Sequence, residues 1–282
     1  MRLYGVIGHP IGHSLSPLMH NTAFEALGIN GSMSAYDIDP GSLKEALQGF
    51  LSAGFIGLNV TIPHKEAIIP LLGSVDEEAS IVGAVNTVNF DGQRTVGYNT
   101  DIVGFLRTLE PYRASIEGGK FLVLGAGGVA RAVVYVLLKY FRTNRIFIAS
   151  RSVLRANNLV ENFRETSHTR LSVLNLQDLQ VKRVFETSDV IINATPAGMA
   201  PKTHELPLSD PPFRQSQIVV DLIYRPVRTE FLRLATESRA QTISGLEMFV
   251  QQGARSFEIW TGRSMDIPLA RKVVSQKLEQ EA

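Results

Sequence analysis

The sequence contains no cysteine among its 282 residues, which excludes disulfide bonds, thiolate metal sites and a cysteine nucleophile. It has little excess charge of either sign, since the formal net charge is +1, and this gives no electrostatic basis for binding nucleic acid or an anionic membrane. No apolar run approaches the roughly 20 residues that cross a bilayer. With 44% hydrophobic and 20% charged residues, we expect a globular, cytoplasmic protein of one large or two modest domains.

The sequence also lacks the pattern of a metal site and of a signal peptide. Its six histidines are scattered, and Pro10 and Gly12 rule out a helix that would align His9 with His13. Residues 1–8 have a short apolar core interrupted by glycine, which predicts a strand rather than a signal peptide. We therefore expect no metal, no membrane and no nucleic acid as partners.

A glycine-rich turn at 8–17 follows the first predicted strand, 3–7. Ser16 precedes Pro17, which predicts that Ser16 caps a helix running to residue 27, because proline at the first helical position sacrifices no hydrogen bond. Ser14 and Ser16 would then lie beside free backbone N–H groups, which suit an anion such as a carboxylate. One capping serine and one loop serine would explain the same pattern.

Polar residues gather near the ends of the predicted elements between residues 55 and 101. They follow a strand at 55–60, precede a hairpin with its turn at 91–92, and open a helix at 100–101; they are Asn59, Thr61, Lys65, Asn86, Asn99 and Asp101. Ligands of open α/β sheets bind outside the carboxyl ends of the strands. An ordinary turn into a helix at 66–72 would explain residues 59–65 alone. Six such residues exceed what helix capping needs and favour a site for a hydroxyl-rich small molecule.

A dinucleotide fingerprint occupies the middle of the chain. An apolar strand at 120–124 runs into a glycine-rich turn and then a helix at 131–140; the turn consists of Gly125, Ala126, Gly127, Gly128, Val129 and Ala130. In this strand–turn–helix context, Gly125 permits the tight turn, Gly127 lets the backbone approach a pyrophosphate, and Ala130 keeps helix and strand close. A glycine-rich turn without a ligand is the alternative.

The next predicted strand, 146–149, ends in a segment rich in cations and hydroxyls, which consists of Ser150, Arg151, Ser152 and Arg155. An NAD enzyme would carry a carboxylate here for the ribose 2′-hydroxyl, yet no acidic residue occurs between Lys120 and Val160. The two arginines offer planar cations to a 2′-phosphate, which favours NADP over NAD. A solvated helix start is the other interpretation of the arginines.

Later strands are predicted at 171–174, 190–193 and 218–222. The turn 194–199 follows one of them, where the nicotinamide half of a cofactor would lie. Two helices, 248–260 and 267–278, have no strand partners of their own. We expect them to cover the first domain and make it discontinuous, because its strands need helices on both faces.

Taken together, these residues resemble the shikimate dehydrogenase family over nearly the whole chain. The resemblance is carried by separated motifs in order, namely residues 12–17 (GHSLSP), 59–65 (NVTIPHK), 83–87 (GAVNT), 97–101 (GYNTD), the glycine turn, 195–199 (TPAGM), 221–224 (DLIY), Gln252 and 260–262 (WTG).

The resemblance implies an α/β fold of two domains, with the active-site cleft between them. One is a discontinuous substrate-binding domain, 1–102 plus 245–282, and the other is a Rossmann-type NADP-binding domain, 103–244. It implies reversible NADPH-dependent reduction of 3-dehydroshikimate to shikimate, in aromatic amino-acid and chorismate biosynthesis, by a monomer or homodimer.

The resemblance also implies roles for individual residues. Lys65 and Asp101 would form the catalytic pair, and Ser14, Ser16 and Tyr224 would hold the substrate carboxylate. The ring hydroxyls would contact Asn59, Thr61, Asn86, Asp101 and Gln252. Besides the glycine turn and the 150–155 segment, NADP would contact Thr195, Met199, Leu222 and Gly245.

One motif departs from the family pattern. The usual Asn-Arg-Thr clamp for the 2′-phosphate is Ser150-Arg151-Ser152 here, which keeps the arginine and a hydroxyl but loses an amide. A quinate dehydrogenase or similar enzyme with relaxed cofactor use, and a non-catalytic NADP-binding relative, are therefore the alternatives.

Overall fold

The computed structural model describes residues 1–92, 94–163 and 169–281, so residue 282 of the predicted range 245–282 lies outside it. The chain folds into two compact units. The first contains residues 1–104 and 250–281, and the second contains residues 105–249. Each unit is built on its own sheet with helices packed against it, which confirms the predicted α/β class.

The first unit contains a mixed sheet with the strand order β2-β1-β3-β5-β6-β4. Its strands are β1 (Arg2–Gly8), β2 (Gly31–Asp37), β3 (Phe55–Val60), β4 (Ser74–Val75), β5 (Thr87–Asp91) and β6 (Arg94–Tyr98). The strand β1 is parallel to β2 and β3, and β5 is antiparallel to β3 and β6. The carboxyl ends of β1, β3 and β6 therefore lie on one edge of the sheet, together with the amino end of β5.

Helices follow the strands of this unit and cover the sheet. They are α1 (Ser16–Ala26), α2 (Leu43–Ser52), α3 (His64–Ala67) and α4 (Glu77–Val82), with 3-10 turns at Pro40–Ser42 and Ile69–Leu71. A further helix, α5 (Asp101–Leu109), begins in this unit and belongs to the second unit from residue 105 onward. The predicted helix at 66–72 is wrong, because Pro70 cannot donate the hydrogen bond that a continuous helix needs. Ser16 is also not a helix cap: it is the first residue of α1, and no side chain caps that end.

The second unit contains a parallel sheet with the strand order β12-β11-β10-β7-β8-β9. Its strands are β7 (Lys120–Leu124), β8 (Arg145–Ser150), β9 (Arg170–Asn175), β10 (Val190–Asn193), β11 (Ile218–Asp221) and β12 (Gln241–Ser244). Its helices are α6 (Arg113–Ile116), α7 (Gly128–Tyr140), α8 (Val153–Asn162), α9 (Gln180–Thr187) and α10 (Glu230–Glu237), with a 3-10 turn at Glu110–Tyr112. This is the doubly wound order 3-2-1-4-5-6, which places its ligand site at the carboxyl ends of the strands.

Two long helices end the chain, α11 (Leu246–Thr261) and α12 (Ile267–Gln280). From residue 250 onward they belong to the first unit, where α12 packs against α1. The side chains of Ser256 and Trp260, one turn apart on α11, lie over Asn59 and Gly57, which are two residues apart on β3. A Cβ on Gly57 would lie 2.2 Å from Trp260 Nε1, so only glycine lets the indole lie this close to the strand.

Candidate active site

The site in the first unit is centred on an ion pair. Lys65 lies in α3 after the end of β3, and Asp101 opens α5 after the end of β6, so the sheet topology brings both to one edge. Lys65 Nζ lies 2.5 Å from Asp101 Oδ2, and the two side chains are only 14% and 6% exposed. The amino end of α5 adds a favourable partial positive charge beside the Asp101 carboxylate.

Asn86 holds the other carboxylate oxygen. Its Nδ2 donates to Asp101 Oδ1 at 2.9 Å and to Thr100 Oγ1 at 2.9 Å, and it approaches Gln252 Oε1 at 3.3 Å. The backbone N–H of Thr100 donates to Asn86 Oδ1 at 2.7 Å, which fixes the orientation of the amide. The predicted residues Lys65, Asn86, Asp101 and Gln252 thus form one connected cluster.

Four hydroxyl or amide side chains support this cluster from the interior. Ser256 Oγ lies 2.7 Å from Thr87 Oγ1 and 3.1 Å from Thr100 Oγ1, and it accepts a hydrogen bond from Asn59 Nδ2 at 3.0 Å. Neither Ser256 nor Thr87 is accessible to solvent. Sequence reasoning missed both, although the four-residue spacing from Gln252 places Ser256 on the same face of α11.

Asn59 has its side chain in the interior of the first unit. It lies opposite Thr87 in the sheet, so its side chain shares the face that α11 covers. Its Nδ2 is used by Ser256, Thr87 and the Asn86 carbonyl, and its Oδ1 has no accessible surface. Asn99 is likewise internal, since its Nδ2 donates to the Ala84 carbonyl at 2.8 Å.

The glycine-rich turn after β1 lies beside the loop after β3. Thr61 N donates to the Ile7 carbonyl at 2.9 Å, and His9 N donates to the Ile62 carbonyl at 2.9 Å. Further along the turn, Ser16 N donates to Ser14 Oγ at 3.3 Å. Ser14, Ser16 and Thr61 therefore lie on the sheet edge that carries Lys65 and Asp101.

In the second unit, the glycine turn has the shape that a pyrophosphate needs. Gly125 has a φ of +111°, and a Cβ there would lie 2.9 Å from the Ala194 carbonyl oxygen. No atom lies within 4 Å of the Cβ position of Gly127, which leaves open space in front of the backbone. The first turn of α7 has no side-chain cap, so its N–H groups are available to an anion. Ala130 is fully buried against the sheet; Ala126, Gly128 and Val129 complete the turn.

The predicted 2′-phosphate segment follows β8. Ser150 ends the strand, and Ser152 caps α8 by accepting from Arg155 N at 3.3 Å. Ser152 N also donates to Ser150 Oγ at 3.2 Å. Arg151 and Arg155 are exposed to solvent.

The remaining residues predicted to contact the cofactor lie at the ends of neighbouring strands. Thr195 and Met199 belong to the turn after β10, Leu222 follows β11, and Gly245 follows β12. A Cβ on Gly245 would lie 2.2 Å from the Leu222 carbonyl oxygen, which explains the glycine. Tyr224 stacks on Phe249, with ring centroids 4.1 Å apart.

Among the described residues there is no group of three His, Cys, Asp or Glu side chains placed to hold a metal ion. In the same part of the chain, no helix combines the length and the apolar character that crossing a bilayer would require.

The doubly wound sheet and its glycine turn define a dinucleotide-binding protein. Three family models match the chain: the shikimate dehydrogenase substrate binding domain at residues 6–88, shikimate / quinate 5-dehydrogenase at 109–229, and the shikimate 5′-dehydrogenase C-terminal domain at 245–274. The shikimate dehydrogenase (NADP(+)) of Methanopyrus kandleri is 42% identical over 97% of this chain and 95% of its own length.

Solved structures agree. A shikimate dehydrogenase in complex with NADP+ has a TM-score of 0.88 at 37% identity, covering 99% of this chain and 96% of that one. The Thermus thermophilus shikimate 5-dehydrogenase, in complex with NADP(H) and shikimate, has a TM-score of 0.84 at 35% identity, covering 98% and 99%. The chain belongs to the shikimate dehydrogenase family, as its motifs predicted.

Proposed function

We propose that this protein catalyses the reversible NADPH-dependent reduction of 3-dehydroshikimate to shikimate, the shikimate-pathway step toward chorismate and aromatic amino acids. The observation that carries the proposal is the Lys65–Asp101 pair, joined to Asn86 and Gln252 at one sheet edge. An ammonium, a carboxylate and two amides match a substrate with several hydroxyls. Family membership and the dinucleotide turn of the second unit support the same reaction.

The first unit supplies binding and proton transfer. Ser14 and Ser16 bind the substrate carboxylate, and we assign Tyr224, which belongs to the second unit, to the same carboxylate. Thr61, Asn86, Asp101 and Gln252 bind ring hydroxyls. Because its amide faces the interior, we assign Asn59 to supporting Asn86 and Thr87 rather than to contacting the ring.

Lys65 exchanges the proton on the oxygen that is reduced or oxidised. In the reducing direction its Nζ donates a proton to the carbonyl oxygen while the carbonyl carbon accepts a hydride. Asp101 orients Nζ through Oδ2, and Asn86 restrains Asp101 through Oδ1. This arrangement holds the proton donor in place before the substrate binds, which is how a positioned acid lowers the barrier.

The residues of the second unit fit NADP, which would supply the hydride. The open backbone at Gly127 and the uncapped end of α7 would hold its pyrophosphate. Its 2′-phosphate would be held by the exposed Arg151 and Arg155, together with Ser150 and Ser152. Thr195, Met199, Leu222 and Gly245 would line the nicotinamide half. Following the family resemblance, we assign substrate binding to 1–102 plus 245–282 and NADP binding to 103–244, with Gly245 at the junction of the two ranges.

The test compares steady-state rates with shikimate and quinate, each with NADP and NAD, followed by NADPH or NADH absorbance. We expect the highest kcat/KM for shikimate with NADP. A higher value for quinate with NAD would replace the proposed substrate, and no turnover with any pair would overturn the enzymatic function.

Lys65→Ala tests the proton-transfer role within that reaction. Loss of a general acid–base group should lower kcat by about 10²–10⁴-fold. Shikimate binding, measured by calorimetry, should weaken far less, because the carboxylate contacts remain. A kcat within a few-fold of wild type would refute this role for Lys65.

We also propose a cytoplasmic location, in keeping with the absence of cysteine, and the monomeric or homodimeric state that the family resemblance implies. Cell fractionation and sedimentation equilibrium would test these two statements. A larger assembly in sedimentation would contradict the second.

A further inference from the structure

A buried carboxylate joins three separate segments in the second unit. Asp221, the last residue of β11, is inaccessible to solvent, as are Asn193 at the end of β10 and Thr229 before α10. Asp221 Oδ1 accepts from Asn193 Nδ2 at 3.0 Å and from Ile223 N at 3.1 Å. Asp221 Oδ2 accepts from Thr229 Oγ1 at 2.6 Å.

With no accessible surface, Asp221 does not itself touch a ligand. A carboxylate buried at this depth is costly unless donors surround it, and here three donors from three segments do so. The side chain therefore fixes the mutual positions of those segments.

The bonds continue from Asp221 into the loop after β10. Asn193 Oδ1 accepts from Thr195 N at 3.0 Å and from Thr195 Oγ1 at 2.7 Å, while its Nδ2 also approaches the Ala197 carbonyl at 3.3 Å. The Asn193 amide thus connects Asp221 to the 195–197 turn in two bonds.

Hydrogen bonds also connect this group of residues to the loop after β11. Leu222 N donates to the Asn193 carbonyl at 3.1 Å, and Gly245 N donates to the Ile223 carbonyl at 3.1 Å. Thr229 Oγ1 in turn accepts from Leu232 N at 3.2 Å, which ties the start of α10 to the same point. The Asp221 side chain therefore bonds directly to Asn193 and Ile223, the two residues whose backbone carbonyls hold Leu222 and Gly245.

We propose that Asp221 is a positioning residue for hydride transfer, acting through Asn193 and the Ile223 N–H on the two loops that hold the nicotinamide. The inference rests on the proposed function, which assigns those loops to the nicotinamide half of NADP. Reactions between held groups are sensitive to placement, and an error of about 1 Å can cost about 10²-fold in rate. A shift of either loop would therefore slow hydride transfer while the distant 2′-phosphate contacts remain.

The chain offers a matched control at the opposite end of the same strand. Gln217 immediately precedes β11, is 1% exposed, and bonds to Phe185 O, Ser188 O and Arg214 N. Like Asp221, it is a buried polar side chain that ties several segments, but it lies at the amino end of the sheet.

The experiment compares Asp221→Ala, Asp221→Asn and Gln217→Ala by kcat, by the primary deuterium isotope effect on kcat, and by the binding of NADP and of adenosine 2′,5′-bisphosphate, which lacks the nicotinamide. For Asp221→Ala we expect kcat to fall about 10²-fold and the isotope effect to rise. NADP should bind about fivefold more weakly, as for the loss of about one hydrogen bond, and the binding of the bisphosphate should be unaffected. Asp221→Asn keeps the shape and the acceptor for Asn193 and Ile223 and should restore most of kcat.

Wild-type kcat and isotope effect in Asp221→Ala, or equal kcat losses in Asp221→Ala and Gln217→Ala, would overturn the proposal. If Asp221→Ala does not fold, Asn193→Ala takes its place, because it breaks the connection to the 195–197 turn; a normal kcat there would also overturn the proposal. An inactive wild-type chain would instead overturn the proposed function. The two binding measurements would then decide the positioning role, since equal weakening of NADP and the bisphosphate would contradict it.

Discussion

Replacing His20 with leucine is expected to make the first unit resistant to mild acid. The His20 imidazole is fully buried beside the rings of Phe24, Phe257 and Trp260, with centroids 6.3, 6.1 and 5.3 Å away. Neither ring nitrogen completes a hydrogen bond with a described residue. Burial lowers the pKa of His20 to about 3, and Asn59 opposes that shift only in part.

The sign of the effect follows from the two states. Below pH 6.5 the unfolded chain binds a proton at His20, whereas the folded chain does not until about pH 3. The contribution of His20 to stability is therefore fully present above pH 6.5 and is lost as the pH falls toward 3. At about 1.4 kcal/mol per pH unit, the loss is about 2 kcal/mol at pH 5 and about 3.4 kcal/mol at pH 4. That is a large share of a typical unfolding free energy of about 5–15 kcal/mol.

Urea unfolding at pH 7.5 and pH 5 measures this loss. Trp260 is the single tryptophan of the sequence and lies in the same unit, so its fluorescence reports the unfolding of the region around His20. Between the two pH values, wild type should lose about 2 kcal/mol more than His20→Leu does. His9→Gln, which alters an exposed imidazole of the same unit, should behave as wild type. Equal losses in wild type and His20→Leu would refute the reasoning.

Three further predictions concern the other features described. Burial raises the pKa of Asp221 to about 7, so wild type loses stability as the pH rises from about 4 to 7 and Asp221→Asn does not. Measured by urea unfolding between pH 4 and pH 8, the unfolding free energy of wild type should fall by about 4 kcal/mol more than that of Asp221→Asn. Parallel pH curves for the two proteins would contradict this. Arg151→Gln should raise KM for NADP about tenfold or more and leave KM for NAD unchanged, because a charge-assisted bond to the 2′-phosphate is lost; an unaltered NADP preference would count against the clamp. Gly57→Ala should lower the unfolding free energy by about 1–3 kcal/mol, since its Cβ would collide with Trp260, whereas Gly49→Ala in α2 meets open space and should not.

Most of the fold could be predicted because buried strands are apolar runs bounded by turn residues. The strands at 55–60, 120–124 and 190–193 occur where the sequence predicts them, since each is bounded by glycine, proline or a polar residue. The last parallel strand, Gln241–Ser244, was missed. It is a short edge strand of mixed polarity, so its hydrophobic pattern carries no signal.

The clustering of the candidate site residues was predictable where a motif coincides with a strand end, as at Lys65, Asn86 and Asp101. It was not predictable where a side chain acts from inside the fold. Ser256 is one hydroxyl on an amphipathic helix and donates to the Gln252 carbonyl of that helix at 3.1 Å. Nothing in the local sequence shows that it also contacts Asn59 and Thr87. The inward direction of Asn59 depends on its register with Thr87, which only the paired strands define.

The packing of α11 on β3 also limits how the length of the chain can vary. Four residues of a helix rise about 6 Å and two residues of a strand rise about 6.6 Å. The spacing of Ser256 and Trp260 along α11 therefore matches the spacing of Asn59 and Gly57 along β3. One residue inserted between Gln252 and Trp260 would turn the preceding part of the helix by about 100°, and Gln252 would swing away from Asn86. Insertions near Gly262, beyond the helix, do not change which side chains of α11 face β3. Length changes are therefore tolerable after α11 and damaging within it.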